Sequence, residues 1–261
     1  MSKFLRLCLF LGLAITIFGV IFLGIAVKAG SFDNDKLETT EYIIDKTFNS
    51  IDIDMHTMDI SIIKATDGKN KIVAKEKEKI YCDYDVEDNT LKITEENKLK
   101  WYEKMINFSF KSPKVSIYLA NDTYDKLVIN SNISDVSVSN ISFNNIDIKN
   151  TTGDTIFNDL NVGDSLIVKS TTGDTKLNNV IVTNDLNIKH TTGDIRFSKS
   201  DAKNISFVVT TGDIKGNILT SKKFDCKTTT GDIKVPVSES DKGLCFCRAT
   251  TGDIKITITA A

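Results

Sequence analysis

The sequence predicts an all-β protein: a single-chain parallel β-solenoid of about seven coils, preceded by a smaller β-rich segment and an N-terminal transmembrane helix. Three observations predict this fold. An uncharged apolar run lies near the N-terminus, the tetrapeptide Thr-Thr-Gly-Asp occurs six times, and apolar residues alternate on both sides of each copy. With 41% apolar and 26% charged residues among 261, the composition is that of a globular chain. The net charge of −2 argues against nucleic acid as a partner.

These observations divide the chain into five parts. They are a cytoplasmic N-terminus (1–6), a transmembrane helix (7–27), a linker (28–40), an N-terminal β-rich segment (41–120) and the repeat solenoid (121–261).

The apolar run at residues 7–27 is long enough to cross a bilayer as a helix, since it has 21 residues without a charge. Lys3 and Arg6 precede it, and acidic residues follow Lys28. The positive-inside rule then places the N-terminus in the cytoplasm and the bulk of the chain outside the membrane. A cleaved signal peptide ending near Ala29 is the alternative, although its apolar core would be unusually long.

The repeat has a nearly constant period, because the corner glycines follow one another at steps of 20, 20, 19, 19 and 21 residues. A degenerate copy ends at Asp135, and a weaker echo ends at Asp59. Five residues before each glycine stands an apolar residue: Ile148, Val168, Ile188, Phe207, Cys226 and Cys247. Such alternation predicts strands with one buried face, and identical columns favour stacking in one register over the alternative, an antiparallel meander.

The Thr-Thr-Gly-Asp tetrapeptide is predicted to be a structural corner. Gly supplies a positive φ, Asp bonds backbone N–H groups within the turn, and stacked Thr hydroxyls bond along the column. The residues assigned to it are Thr151, Thr152, Gly153, Asp154, Gly173, Asp174, Gly193, Asp194, Gly212, Asp213, Gly231, Asp232, Gly252 and Asp253. Calcium bridging of the Asp column is the functional alternative. Cations two residues after the Asp offer a simpler compensation: Lys176, Arg196, Lys215, Lys234 and Lys255.

Other chemistry-bearing residues receive structural interpretations. His190 is predicted at a solvated corner. Cys226, Cys245 and Cys247 occupy inward columns, which predicts free buried thiols, with a Cys226–Cys247 disulfide as the alternative. The aromatic segment at 97–113 is expected to cap the open end of the core, the alternative being a ligand patch: Trp101, Tyr102, Phe108 and Phe110.

This arrangement resembles a bacterial β-strand-repeat family known as "putative adhesin" and also described as toast-rack-like domains of unknown function. The resemblance is carried by the Thr-Thr-Gly-Asp-Ile units at 191–254 and by the strands at 58–62 and 115–119, and it covers about 51–261. It implies membrane-anchored envelope proteins, some of them linked to envelope-stress systems, and it brings no catalytic residues. Thr155 and Thr175 depart from the pattern, because later units carry Ile there.

No catalytic motif, cofactor-binding loop or metal-ligand spacing emerges from the sequence, so we expect no enzyme, no cofactor and no metal. The favoured function is a structural or binding module of the cell envelope, with an envelope protein or cell-wall glycan as partner. An accessory component of an envelope-stress sensor is the alternative, and a polysaccharide-active enzyme is a third.

Overall fold

The computed structural model describes residues 3–28, 37–100, 112–238 and 242–259. Within these ranges the chain forms helix α1 (Lys3–Lys28) and nineteen β-strands. In chain order the strands are β1 (Glu38–Ile43), β2 (Ser50–Met55), β3 (Asp59–Lys64), β4 (Lys71–Glu76), β5 (Ile80–Glu87), β6 (Thr90–Asn97), β7 (Lys114–Leu119), β8 (Thr123–Ile133), β9 (Val136–Ser139), β10 (Ser142–Thr152), β11 (Thr155–Thr172), β12 (Thr175–Thr192), β13 (Ile195–Ser198), β14 (Asp201–Thr211), β15 (Ile214–Ile218), β16 (Lys223–Thr230), β17 (Ile233–Lys234), β18 (Leu244–Thr251) and β19 (Ile254–Ile258).

Two predictions concern the parts outside the sheet. Among the described residues, no helix meets the length and hydropathy that a membrane span requires. The segment expected to cap the core lies largely outside the described ranges, and this includes Trp101, Tyr102, Phe108 and Phe110.

Successive repeat units lie side by side and hydrogen-bond in parallel. Strands β11 and β12 pair along almost their whole lengths, from Thr155 opposite Thr175 to Thr172 opposite Thr192. Every pairing among β8 to β19 in the described residues is parallel, so the antiparallel meander is wrong for the repeats. Equivalent residues of neighbouring units therefore face each other, about 4.8 Å apart.

The alternating apolar residues form one continuous core. In β12, Leu186 and Ile188 are buried while Lys189 is exposed, as the period of two requires. Residues before and after every corner except that of Gly231 contribute to the same cluster, and so do residues of β2 and β3. Because β2 and β3 hydrogen-bond β8 and β9, the sheet is continuous across residue 120.

The order of units in the sheet differs from their order in the chain at both ends. We name each unit by the residue at its corner-glycine position. The Gly252 unit (β18 and β19) pairs with the Gly212 unit on one side and with the Gly231 unit on the other. Similarly, the Met58 unit (β2 and β3) lies between β6–β7 and the Ser134 unit. The first and last units are therefore each hydrogen-bonded on both sides.

The two ends of the sheet close differently. Next to the Met58 unit, β5 pairs antiparallel with β6, and β4 pairs antiparallel with β7 and β1. These strands cover the parallel edge. At the other end, β16 and β17 are the outermost strands, and each has one sheet neighbour in the described part of the chain. There the Ser238 hydroxyl donates to the Phe224 carbonyl and accepts from its N–H group, which occupies part of the edge.

A buried ion pair lies where the chain passes from the Gly212 unit to the Gly231 unit, which the Gly252 unit separates in the sheet. Lys222 directly precedes β16, and its ammonium lies 2.9 Å from the Asp201 carboxylate, with both side chains almost fully buried. The Thr220 hydroxyl donates to the same carboxylate at 2.7 Å. Removing one partner of such a pair is costly, because the remaining charge stays buried. The pair therefore joins the residue before β16 to the first residue of β14.

The alternation along β12 generates a test of the core. Replacing Ile188 with Asp puts an unpaired carboxylate at a site that is 1% exposed, and we expect it to lower the free energy of unfolding by several kcal/mol. Replacing the neighbouring Lys189 with Asp is the matched control and should change it by less than about 1 kcal/mol, because that side chain is exposed. Urea denaturation of both variants measures the difference. Equal losses would contradict the assigned faces of β12.

Candidate functional site: the corner column

The corner glycines are required by both conformation and space. Gly153, Gly173 and Gly193 have φ values of 129°, 135° and 140°, and the later corner glycines are similar. A Cβ added at Gly193 would lie 2.0 Å from the carbonyl oxygen of Gly173. Each glycine therefore fits against the backbone of the neighbouring unit at a distance that no side chain allows.

The corner aspartates form a ladder between units. Oδ1 of Asp154 accepts the N–H of Asp174 at 2.8 Å, and Oδ1 of Asp174 accepts the N–H of Asp194 at 2.9 Å. The same bond links all the corners in sheet order: Asp59, Asp135, Asp154, Asp174, Asp194, Asp213, Asp253 and Asp232. The prediction that Asp bonds N–H groups within its own turn is therefore wrong, since each of these carboxylates except that of Asp232 accepts the N–H of the next corner.

The geometry of the backbone explains why that bond is needed. The carbonyl of Asp174 accepts from the N–H of Thr155, so both the N–H and the C=O of Asp174 point toward the same neighbouring unit. This is the ordinary arrangement of a parallel ladder, in which the N–H of Asp174 would bond the carbonyl of Gly153. That carbonyl instead accepts from the side-chain amide of Asn150. A side-chain oxygen therefore has to meet the N–H, and a carboxylate makes the stronger, charge-assisted bond.

The second carboxylate oxygens face the column of cations that the sequence predicted. Arg196 bridges two units, with its guanidinium 2.8 Å from Oδ2 of Asp174 and 2.5 Å from Oδ2 of Asp194. Lys255 lies 2.8 Å from Oδ2 of Asp253. The Lys215 ammonium and the N–H of Asp253 lower the pKa of Asp213, and the N–H of Asp232 and the Lys255 ammonium lower that of Asp253. The negative charges of Asp154, Asp174, Asp194, Asp213 and Asp253 are thus compensated by neighbouring cations.

A residue that sequence analysis missed bonds the turn at the end of the ladder. Strands β6 and β7 carry no Thr-Thr-Gly-Asp corner; the N–H of Asp59 donates to the Pro113 carbonyl, and Glu95 of β6 bonds the turn before Asp59. Its Oε2 accepts the N–H groups of His56, Thr57 and Met58 at 2.9, 2.6 and 3.0 Å. Glu95 belongs to no repeated pattern, so only the position of β6 beside β2 reveals it.

The side chains on the inner side of the corner are polar and buried. His190 is one of them, so the prediction that it lies at a solvated corner is wrong. That side chain is 1% exposed. Its Nδ1 lies 2.7 Å from the Gly173 carbonyl, and its Nε2 lies 2.8 Å from the Thr175 hydroxyl. Because a carbonyl only accepts, Nδ1 carries the proton and the neutral ring accepts from Thr175. Asn150 and Thr228 bond the neighbouring corner carbonyls of Ser134 and Gly252 in the same way.

This pairing explains why Thr175 replaces the Ile of later units: its hydroxyl supplies a partner for His190. Thr155 is the corresponding residue one unit earlier, facing the shorter Ser170, and its buried hydroxyl has no hydrogen-bond partner. The outward Thr pairs of the corners, beginning with Thr151 and Thr152, are exposed.

The oxygens of the corner carboxylates are engaged within the stack. Among the described residues, no group of three or more His, Cys, Asp or Glu side chains is placed to hold a metal ion. The Asp oxygens named above already bond N–H groups and cations. A groove of about 590 Å³ does lie beside the first corners, lined by Thr57, Asp59, Asn97, Ile133 and Asp135 among others. Ile133 is 62% exposed there, so the groove combines polar and apolar surface.

The close approach of the corners can be tested with two glycines. Replacing Gly193 with Ala should destabilise the fold by more than about 2 kcal/mol, because strain from positive φ adds to a clash with the Gly173 carbonyl. Gly68 also has a positive φ, +68°, but a Cβ there would meet nothing within 4 Å. Its Ala variant should lose only about 1–2 kcal/mol. Thermal denaturation compares the two, and equal losses would show that the corners do not require the close contact.

Burial of His190 predicts a pH dependence of stability. Desolvation lowers its pKa below the ordinary 6.5. Below pH 6.5 the unfolded chain therefore binds a proton that the folded chain resists, and stability falls as pH drops from 6.5 through the folded pKa. Unfolding free energies at pH 7.5 and 5.5 should differ more in the wild type than in the variant His190→Asn. This variant is a suitable control because the Gly153 unit has Asn, Asn150, at the equivalent position. The same pH dependence in both proteins would refute this role for His190.

Comparisons with known proteins identify the family of this chain. No curated protein matches the chain. Solved structures that are similar include a "putative cell adhesion protein" from Clostridium sporogenes, 14% identical, covering 86% of this chain and 100% of that one at a TM-score of 0.38. A "putative adhesin" from Bacteroides fragilis is 20% identical and covers 85% and 97% at 0.40. A "putative lipid binding protein" from Parabacteroides distasonis is 13% identical and covers 86% and 98% at 0.34. The family model described as Toastrack DUF4097 matches residues 48–261, and the chain therefore belongs to the Toastrack DUF4097 family.

Proposed function

We propose that this chain is a membrane-anchored, extracytoplasmic module of the cell envelope, in which a single-chain β-solenoid presents a structural and binding surface and performs no catalysis. The proposal rests on one observation, which is that the corner carboxylates are bonded within the stack. Their Oδ1 atoms accept N–H groups and several of their Oδ2 atoms pair with cations, so the repeated polar residues serve the stack itself.

The solenoid part of the proposal is supported by the pairing pattern. Equivalent residues face each other from unit to unit before the corner, as Ile188 faces Phe207, and after it, as Leu177 faces Phe197. A third row of pairs joins Leu160 to Val180 and Val162 to Val182. Three parallel rows per unit of about 20 residues match one coil with three sides.

The anchor is supported by the sequence and by the surface of α1. The run at 7–27 carries no charge, with Lys3 and Arg6 before it. The described side chains in the middle of α1 are largely exposed, for example Phe10 at 76% and Phe18 at 74%. Apolar side chains of this size favour a nonpolar environment, and a bilayer provides one. The N-terminus then lies in the cytoplasm, and the sheet lies outside.

The binding role is supported by the surface that the stack leaves free. The Thr pairs of six corners form exposed columns, and the groove beside Asp59 and Ile133 lies at one end of them. Hydroxyls, carboxylates and an exposed aliphatic side chain suit a glycan or an extended segment of an envelope protein. Such a surface needs no cofactor.

Membrane topology tests the proposal. The full chain, with an epitope tag after Ala261, should fractionate with the membrane of the expressing bacterium and bind a tag antibody added to intact spheroplasts. The variant Leu13→Glu with Ile17→Glu is the control and should lose the membrane fraction, because two carboxylates prevent insertion. Release of a wild-type product that begins near Gly30 would show a signal peptide instead and refute the anchor.

Crosslinking on whole cells then separates the binding roles. Capture of wall glycan, or of a structural envelope protein, supports the proposed module. Capture of a membrane kinase or sensor as the main partner would replace it with a role in envelope-stress sensing.

A further inference from the structure

Three cysteines meet at the exposed end of the sheet, where β16 is the outermost strand. Cys226 of β16 lies directly opposite Cys247 of β18, and Phe224 lies opposite Cys245. The Sγ atoms of Cys245 and Cys247 are 3.8 Å apart. None of the three forms a disulfide in the structure.

The three thiols differ in access, which sequence analysis did not predict. Cys245 and Cys247 are fully buried, whereas Cys226 is half-buried. The difference follows from the exchanged order of the last two units, because β18 is covered on both sides and β16 on one. A small reagent can therefore reach Cys226 before the other two.

The neighbouring thiols also activate Cys226. Hydrogen bonds from Cys245 and Cys247 lower the pKa of its thiol well below the ordinary range, and this outweighs the opposing effect of burial. The bond to Cys226 correspondingly raises the pKa of Cys247, as does its burial. A thiolate is the nucleophile in thiol chemistry, so Cys226 is the reactive member of the cluster.

The sheet register selects the partner. Directly opposed residues of neighbouring strands have Cα atoms about 4.8 Å apart, within the range that a disulfide accepts. Diagonal neighbours such as Cys226 and Cys245 are about 7–8 Å apart, beyond that range. A bond from Cys226 therefore goes to Cys247.

We propose that Cys226 is a disulfide-exchange site that reacts with small-molecule disulfides and passes the new bond to Cys247, covalently tying the end strand β16 to β18. In the first step the Cys226 thiolate attacks a disulfide RSSR, forming Cys226–S–S–R and releasing RS⁻. In the second step Cys247 loses its proton to water and attacks the Cys226 sulfur, which forms Cys226–S–S–Cys247 and releases a second RS⁻. Two thiols are oxidised and one RSSR is reduced to two RSH.

The first step makes Cys247 easier to deprotonate for the second. Once Cys226 is bonded to R it carries no charge, and the hydrogen bond that raised the pKa of Cys247 is lost. The product closes a loop between residues 226 and 247 at the end of the stack, where the strands have the fewest neighbours. It should raise the temperature at which that end unfolds.

Thiol counting on the full chain in detergent tests the proposal. The reduced protein has five cysteines, and after incubation with oxidised glutathione and quenching in denaturant it should retain three free thiols. Peptide mapping should place the new bond between Cys226 and Cys247. At pH 6 Cys226 should be alkylated about tenfold faster than Cys82, whose burial raises its pKa to about 12.

Three variants complete the test. Cys226→Ser should keep all its remaining thiols free, and Cys247→Ser should accumulate a glutathione adduct on Cys226. Cys82→Ser is the matched control and should behave as the wild type. The proposal is overturned if five thiols remain after incubation, or if Cys226→Ser still loses two thiols while its thermal unfolding shows that it is folded.

Discussion

The structure depends on one hydrogen bond repeated along the stack, in which a corner carboxylate accepts the N–H of the next corner Asp. At each corner the chain turns sharply, and glycine at positive φ brings neighbouring backbones into contact. The corner glycine carbonyls bond inner side chains such as Asn150 and His190, which leaves the N–H of the following corner Asp without a backbone acceptor. A short acidic side chain, fixed two residues before a cation, satisfies that donor and has its own charge neutralised.

Because the corner bond links neighbours in space, the ladder follows sheet order and not chain order. It passes from Asp213 to Asp253 and only then to Asp232. At the other end it terminates on Asp59, whose N–H donates to the Pro113 carbonyl, while Glu95 bonds the turn before it. In this Toastrack family member the first and last units are thus held on both sides, and the outward Thr columns and the groove near Asp59 remain exposed.

Much of this could be predicted from the sequence, because the repeat fixes local structure. Alternation around Ile188 and the positive φ of Gly193 follow from residue type and period. What escaped prediction depends on which units are neighbours. Cys226 was expected to be as buried as Cys247, but the exchanged order leaves it at the edge. His190 was expected in solvent, since nothing in its own unit shows that Thr175 and the Gly173 carbonyl lie within reach.

Replacing Asp194 tests the ladder most directly, since its Oδ1 accepts the N–H of Asp213 at 2.7 Å. Asp194→Asn keeps an oxygen at that position and loses the charge, whereas Asp194→Ala leaves the N–H unpaired. We expect the Ala variant to lose about 1–3 kcal/mol of unfolding free energy and the Asn variant clearly less, with faster amide exchange at Asp213 in the Ala variant alone. Equal losses in both variants, with unchanged exchange at Asp213, would mean that charge pairing with Arg196 holds the corners together and that the ladder does not.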